Sequence, residues 1–445
     1  MAAGCADPAP PNLVPLRAED ALFLHAQNAR LCQQVGTVLL LDTDSLSVSD
    51  FRAEITKRVR RVPALRRRLQ QPPSRWRRPY WITETGVEVG QRIKAITLGP
   101  GYTDRSLHET ADAFFSEPTD PWRAPWAMLL VRGVPGRRTA IMVKVHHTLG
   151  GSQAIIAALT QLFDKPPLSS APGRAARHTH PEPRRRTQQT ARTVSGLWHL
   201  AKAGRAPATS LCGRPNSEHR RYIPLALAAR EVAITARSLN AGIAELLLAV
   251  IAEAIGRLLR SRGEVTAGQV IRAAVPRAQA PPAGGQQAQP SNRSAVVSVD
   301  LPVGPSSPLE RLRAVSRQFQ DHLRHGEPGA AAFVLRAMNA LPPPLQRLSA
   351  VLVYHHRWFN LLISIFPGVR GQHHLLGIPV AEVYPVLALA DGVGLAIGAM
   401  TWGKSLSVGI LADPALVPDA DRLAGEFTRA FQDFRTAWPE APRTL

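Results

Sequence analysis

Two adjacent histidines, His146 and His147, end an apolar run that begins at Ala140, and Gly150, Gly151 and Ser152 follow at once. An unperturbed imidazole titrates near ~6.5, so such a residue can accept and return a proton at neutral pH, which is what general acid/base chemistry needs. Residues 140–145 are β-branched and apolar enough for a buried strand, the glycine pair breaks it, and Ser152 is a suitable N-cap for the apolar helix that follows. Ser152 is also a loop hydroxyl that could contact substrate, although capping is the plainer use. Strand, turn and helix therefore meet at the histidines. Side chains alternate across a strand, so only one of the pair can face a given cavity while the other packs or orients its neighbour. An isolated His-His pair is more often ordinary packing than a base, and the surroundings decide.

Two rival pairs, His355-His356 and His373-His374, lack that setting between an apolar strand and an apolar helix, and read as loop or interface residues. There is no Gly-x-Ser-x-Gly elbow, phosphate-binding loop or dinucleotide glycine fingerprint. Cys5, Cys32 and Cys212 show no metal-ligand spacing, so no metal, no zinc and no disulfide are expected, in a reduced, cytoplasmic setting.

The elements that must position the histidines alternate between strand and helix periods. Residues 16–25 have helical spacing, 34–42 read as a strand, and 127–132 form a strand entered through Pro125. Residues 1–15 are Ala/Pro-rich and read as a disordered N-terminus. A first half then runs over 16–165. From 166 to 221 the composition turns to Pro, Arg, Ser and Thr, the signature of a basic linker. The second half, 222–445, opens with a strand at 222–228 and helices at 229–239 and 241–260, the latter apolar on most sides. Strands at 270–276, 294–302 and 405–412, and helices at 309–323 and from 419 onward, complete it.

A chain of 445 residues with a net charge of +21 favours anionic partners: nucleic acid, acidic lipid headgroups or the phosphates of coenzyme A. The densest basic patch, from Lys57 to Arg78, interleaves Trp76 and is followed by Tyr80 and Trp81. Single-stranded nucleic-acid sites use such patterns, but no nucleic-acid fold signature accompanies this one, and a solvated or membrane-facing surface is the better reading. No nucleic-acid partner is expected. The longest apolar run, 350–366, is interrupted by His355-His356-Arg357, so the protein is expected to be soluble or peripheral.

His146-His147-Thr-Leu-Gly-Gly151-Ser152 resembles the His-His-x-x-x-Asp-Gly motif of the wax ester synthase/acyl-CoA:diacylglycerol acyltransferase family, with Gly151 at the Asp and Ser152 at the Gly. Further likenesses are the Pro79-Tyr80-Trp81 run, Pro125-Trp126, Asn360 to Gly368 at a Ser-Asn-Val-Pro-Gly turn, and 384–397. At an Asn-Asp pair of the family this chain has Ala244 and Glu245. The resemblance implies an α/β (α+β) fold of two chloramphenicol-acetyltransferase-like halves, each a mixed sheet flanked by helices, with the active site in the tunnel between them. It implies His147 as general base, His146, Gly151 and Ser152 as its support, and Asn360 and Ser364 lining the cavity. It implies an O-acyltransferase that moves a fatty acyl group from acyl-CoA, a co-substrate rather than a cofactor, to a long-chain alcohol or diacylglycerol, giving wax ester or triacylglycerol. An anionic membrane or lipid-droplet surface is a further partner. The alternatives are transfer to the hydroxyl of a specialised metabolite, and a non-catalytic relative that binds lipid or membrane.

Overall fold

The computed structural model describes residues 13–74, 76–84, 88–99, 101, 103–164, 204–278, 294–324, 341–369 and 371–437. Two six-stranded mixed sheets form its frame. In the first the order is His374–Leu375, Ile378–Val386, Gln34–Leu41, Arg138–His146, Trp126–Val134 and Ile93–Thr97, antiparallel except at the last pair. In the second it is Ser294–Pro302, Val270–Ala278, Leu361–Val369, Leu395–Trp402, Ser405–Ala412 and Arg221–Ala228, with Leu361–Val369 parallel to both neighbours. A small sheet joins Val14–Pro15 to Tyr80–Thr83 and Arg67–Gln70.

The division into halves is crossed by a hairpin, His374–Leu375 and Ile378–Val386, that joins the first sheet. Ile378–Val386 leaves the second half and pairs antiparallel with Gln34–Leu41, placing Tyr384 opposite Val38 and Val386 opposite Gly36. The two sheets touch at this borrowed strand: a Cβ on Gly409 would lie 1.9 Å from the Pro385 carbonyl oxygen, so only glycine admits the approach. The stretch expected as a turn near Pro367 is instead the inner strand Leu361–Val369, whose pairing shifts between Phe366 and Val369, where proline offers no N–H to the ladder.

Two expectations about order are corrected. Val14 and Pro15 are paired with Trp81 and Tyr80 rather than part of a loose terminus. Of the supposed linker, 166–203 lies outside the described residues, but 204–221 is built into the second half and bonds to the first. Leu211 is buried there, and Arg220 donates to the carbonyls of Ser217, His219 and Arg30 at 2.8, 2.7 and 2.6 Å. Among the described residues no helix is long and apolar enough to cross a membrane.

Candidate active site

The histidine strand, Arg138–His146, runs between Gln34–Leu41 and Trp126–Val134, and its two faces differ. Lys144 and His146 point to the sealed face, where Lys144 Nζ donates to the Phe114 and Glu117 carbonyls at 2.7 Å each. Ile141 and Val143 point the other way, into an apolar cavity.

His146 is fully buried. Its Nδ1 accepts from the Thr148 backbone N–H at 3.2 Å, with the Thr148 hydroxyl 2.7 Å away. That leaves the proton on Nε2, which donates to Gln27 Oε1 at 2.6 Å. Burial, helped by the neighbouring His147, pushes its pKa down to about 3, so the ring stays neutral at physiological pH. A neutral imidazole with both nitrogens engaged is a fixed strut.

His147 begins a single 3-10 turn, His147–Leu149, and its backbone N–H donates to the Gln33 carbonyl at 2.8 Å. The ring is half-buried and stacks on Phe23, with centroids 3.8 Å apart and planes 10° from parallel. Phe23 belongs to the helix Ala18–Ala26 of the first half, and Tyr354 of the second half meets it edge-on at 5.7 Å. Gln33 spans the same junction, its Nε2 donating to the Leu389 carbonyl at 3.0 Å. The imidazole therefore stands where the two halves meet, partly open to solvent.

The turn ends at Gly150, whose φ of 145° is a conformation that side-chain-bearing residues rarely adopt. The chain then returns to extended geometry at Gly151, φ −65° and ψ 161°, which makes Gly151 the N-cap of the helix Ser152–Thr160. Ser152 is the first helical residue, one position later than expected, so the cap carries no side chain. The energetic consequence is small, because glycine at an N-cap is only a few tenths of a kcal/mol worse than aspartate.

Asn360 and Ser364 separate. Asn360 is buried, its Oδ1 accepting from the Arg272 N–H at 3.0 Å and its Nδ2 donating to the Pro207 carbonyl at 2.9 Å. It staples 204–221 to the strand Val270–Ala278, so both ends of the amide are committed to backbone and the expectation that it lines the crevice is corrected. Ser364 shares a strand face with Phe366, which lines the cavity, and lies opposite Gly398, against whose Cα Pro385 packs.

The cavity is lined by the helix Ser152–Thr160, by the first sheet and by Phe366, Val369, Met400 and Trp402 of the second sheet, with Phe163 and Leu375 also in its wall. Its polar lining side chains, Thr37, Thr160 and Trp402, donate to the carbonyls of Tyr384 (3.0 Å), Ala157 (3.0 Å) and Val380 (2.9 Å). What is left for a ligand is hydrocarbon. His147 is not in the lining, but Gln33, which holds its backbone, is two residues from Val35, which is, a step of about 7 Å along a strand.

Reading by residue type missed Phe23, Gln27, Gln33, Thr148 and Tyr354, none of which carries chemistry alone. Only Thr148 had a signal, its place inside the histidine turn. Of the rival pairs, His356 packs against Gly392 in a turn, whereas His374 opens the edge strand His374–Leu375 and His373 lies against Trp402 with centroids 5.1 Å apart. Much of the basic patch is spent internally, Arg58 on Glu54 and Asp164 and Arg68 on Glu84.

The architecture is that of a two-half acyltransferase, and the comparisons agree. The wax ester synthase/diacylglycerol acyltransferase catalytic-domain model matches residues 16–320, and the C-terminal-domain model of the same family matches 291–435. The chain belongs to this acyltransferase family. It is 24% identical over 430 residues to the Mycobacterium tuberculosis H37Rv protein named probable diacylglycerol O-acyltransferase tgs1, covering 91% of this chain and 92% of the relative. A Mycobacterium bovis relative named for the same activity is 25% identical over 456 residues, 93% of this chain and 90% of the relative. Among solved structures, the wax ester synthase/diacylglycerol acyltransferase of Marinobacter aquaeolei VT8 superposes with a TM-score of 0.69 at 19% identity, over 95% of this chain and 99% of that one. The starter condensation domain of rhizomide synthetase, solved with C8-CoA, gives 0.63 at 15% identity over 97% of each.

Proposed function

We propose that the chain transfers a fatty acyl group from acyl-CoA to the hydroxyl of a long-chain alcohol or diacylglycerol, with His147 as general base. One observation carries this: of two neighbouring imidazoles, one is locked neutral inside the protein and the other stands half-open between the halves, a strand's step from a cavity fit only for hydrocarbon. His147 takes the hydroxyl proton as the alcohol oxygen attacks the thioester carbonyl carbon. The new C–O bond forms, the C–S bond breaks, and the imidazolium returns its proton to the departing thiolate. Negative charge on the intermediate is favoured by the amino end of the helix Ser152–Thr160, whose first amides have no intrahelical acceptor and no capping side chain.

The acyl chain lies along that helix. Its 9 residues span about 14 Å, and the wall beside it, which includes Phe163 and Trp402, is apolar. Lipid substrates of this kind place the protein at a membrane or lipid-droplet surface while it turns over.

The test is incubation of purified protein with labelled palmitoyl-CoA and a panel of alcohols and diacylglycerol, with His147→Ala in parallel. Ester formation falls by at least about 100-fold in the variant, the lower end of what a general base contributes. Equal turnover in the variant would remove His147 from the chemistry, and no ester with any acceptor would leave a lipid-binding relative.

A further inference from the structure

The helix Pro343–Val353 turns its apolar side to water. At about 100° per residue, Leu345, Leu348, Val351 and Leu352 fall on one stripe, opposite the buried Gln346 and Ala350. Those four are 49%, 58%, 45% and 55% exposed, and Trp358, just beyond the helix, is 47% exposed with its Nε1 donating back to the Leu352 carbonyl at 2.7 Å. Scattered exposed leucines mean little, but a continuous stripe rimmed by charge marks a contact surface.

The charge around the stripe indicates what it meets. Residues 341–360 contain no Asp or Glu, while Arg347 and Arg357 are both exposed. A two-fold contact with a second copy through this stripe would set those cations against themselves, with no carboxylate from the segment to receive them. An apolar stripe with cations at its border and a tryptophan at its end fits the headgroup region of an anionic lipid layer, where the chains take the leucines and the phosphates take the arginines. The stripe is also continuous with the site: the buried side of the helix packs on Ala18–Ala26, which holds Phe23 against His147, and Tyr354 at its end meets Phe23.

We infer that the outer face of Pro343–Val353, with Trp358, docks on an anionic lipid surface and sets the mouth of the crevice against it. This deepens the reading of the substrates as lipids, but it is tested by binding alone. Full-length protein is floated with vesicles of phosphatidylcholine mixed with phosphatidylglycerol, and with vesicles of phosphatidylcholine only. The doubly substituted Leu348→Asp, Leu352→Asp protein loses vesicle partitioning by about tenfold or more. Because both side chains are exposed, it keeps the melting temperature of the parent and its turnover of a short, soluble acyl-CoA with a soluble alcohol. Arg347→Ala with Arg357→Ala lowers partitioning onto the mixed vesicles to the level seen with phosphatidylcholine alone. Parent-like flotation of the Leu348→Asp, Leu352→Asp protein overturns the inference. So does a parent that ignores vesicles but dissociates from dimer to monomer on that substitution. A protein that floats and makes no ester counts against acyl transfer only; one that makes ester from soluble substrates and does not float counts against docking only.

Discussion

The two sheets cover one face in opposite ways. In the second half the helix Ile243–Ser261 is buried along nearly its whole length, from Glu245 to Leu259, and lies in one continuous core with Phe427, Phe431 and Phe434 of the C-terminal helix. In the first half the corresponding space under the short helix Ser152–Thr160 is left partly empty, although residues as large as Phe51 and, from the second sheet, Phe366 border it. Protein interiors are normally packed to crystal density, so an unfilled space costs stability and persists where something else fills it. The half that carries the histidines has room; the other half carries the frame.

Paired truncations sharpen this contrast most. Leu248→Ala, in the sealed helix, should cost about 2–5 kcal/mol and leave the acyl-chain preference unaltered. Phe163→Ala, in the wall of the cavity, should cost less, because the ring is only half-buried, and should move the preferred acyl chain to greater length. Urea midpoints and a chain-length series of acyl-CoA substrates check both. Equal destabilisation with an unmoved profile would make the cavity a packing defect with no ligand.

Acid provides the next contrast, because burial lowers the pKa of His25, His108 and His146 in the first half. His146 is held at about 3 by burial, with His147 second, and His25 at about 4 by burial, with Arg347 second. Both folded values lie below the ordinary ~6.5, so between them the unfolded chain binds more protons and stability rises with pH. The stabilisation is complete above about 6.5 and is lost as pH falls toward the folded values, at about 1.4 kcal/mol per pH unit for a fully buried histidine. Denaturant midpoints at pH 7 and 5 measure the slope, and His146→Gln should flatten it. An unchanged slope in that variant would mean that His146 is not sealed in solution.

Periodicity exposed the elements and hid their partners. The strands Ser294–Pro302 and Ser405–Ala412 fall where alternation and flanking residues place them, because those signals are local. Nothing local tells Ile378–Val386 to join the other half's sheet; that is decided by the face of Gln34–Leu41 it completes and by the glycine that lets Pro385 through. Arg220 and Leu211 were concealed by a composition that reads as linker, since hydrogen bonding to distant carbonyls has no sequence period. The proposed base was legible because histidine, strand end and glycine turn coincide. Its ring partner Phe23 was not, because a stacked phenylalanine and a core phenylalanine have the same sequence signature.

The smallest expected effect concerns Gly151, and it divides scaffold from chemistry inside the histidine turn. At an N-cap, an aspartate accepts an amide of the first turn and sets a negative charge at the positive end of the helix, whereas glycine does neither. Gly151→Asp should therefore raise stability, but only by a few tenths of a kcal/mol, since glycine is already a tolerable cap and the position is buried enough to tax a new carboxylate. Turnover should change little, because His146 is already held by Gln27 and Thr148 and the backbone of His147 by Gln33. A rise in turnover of about tenfold or more would be worth at least ~1.4 kcal/mol at the transition state, well beyond what capping supplies. That result would assign the carboxylate a contact within the turn itself and make the Gln27, Thr148 and Gln33 bonds an incomplete substitute for it.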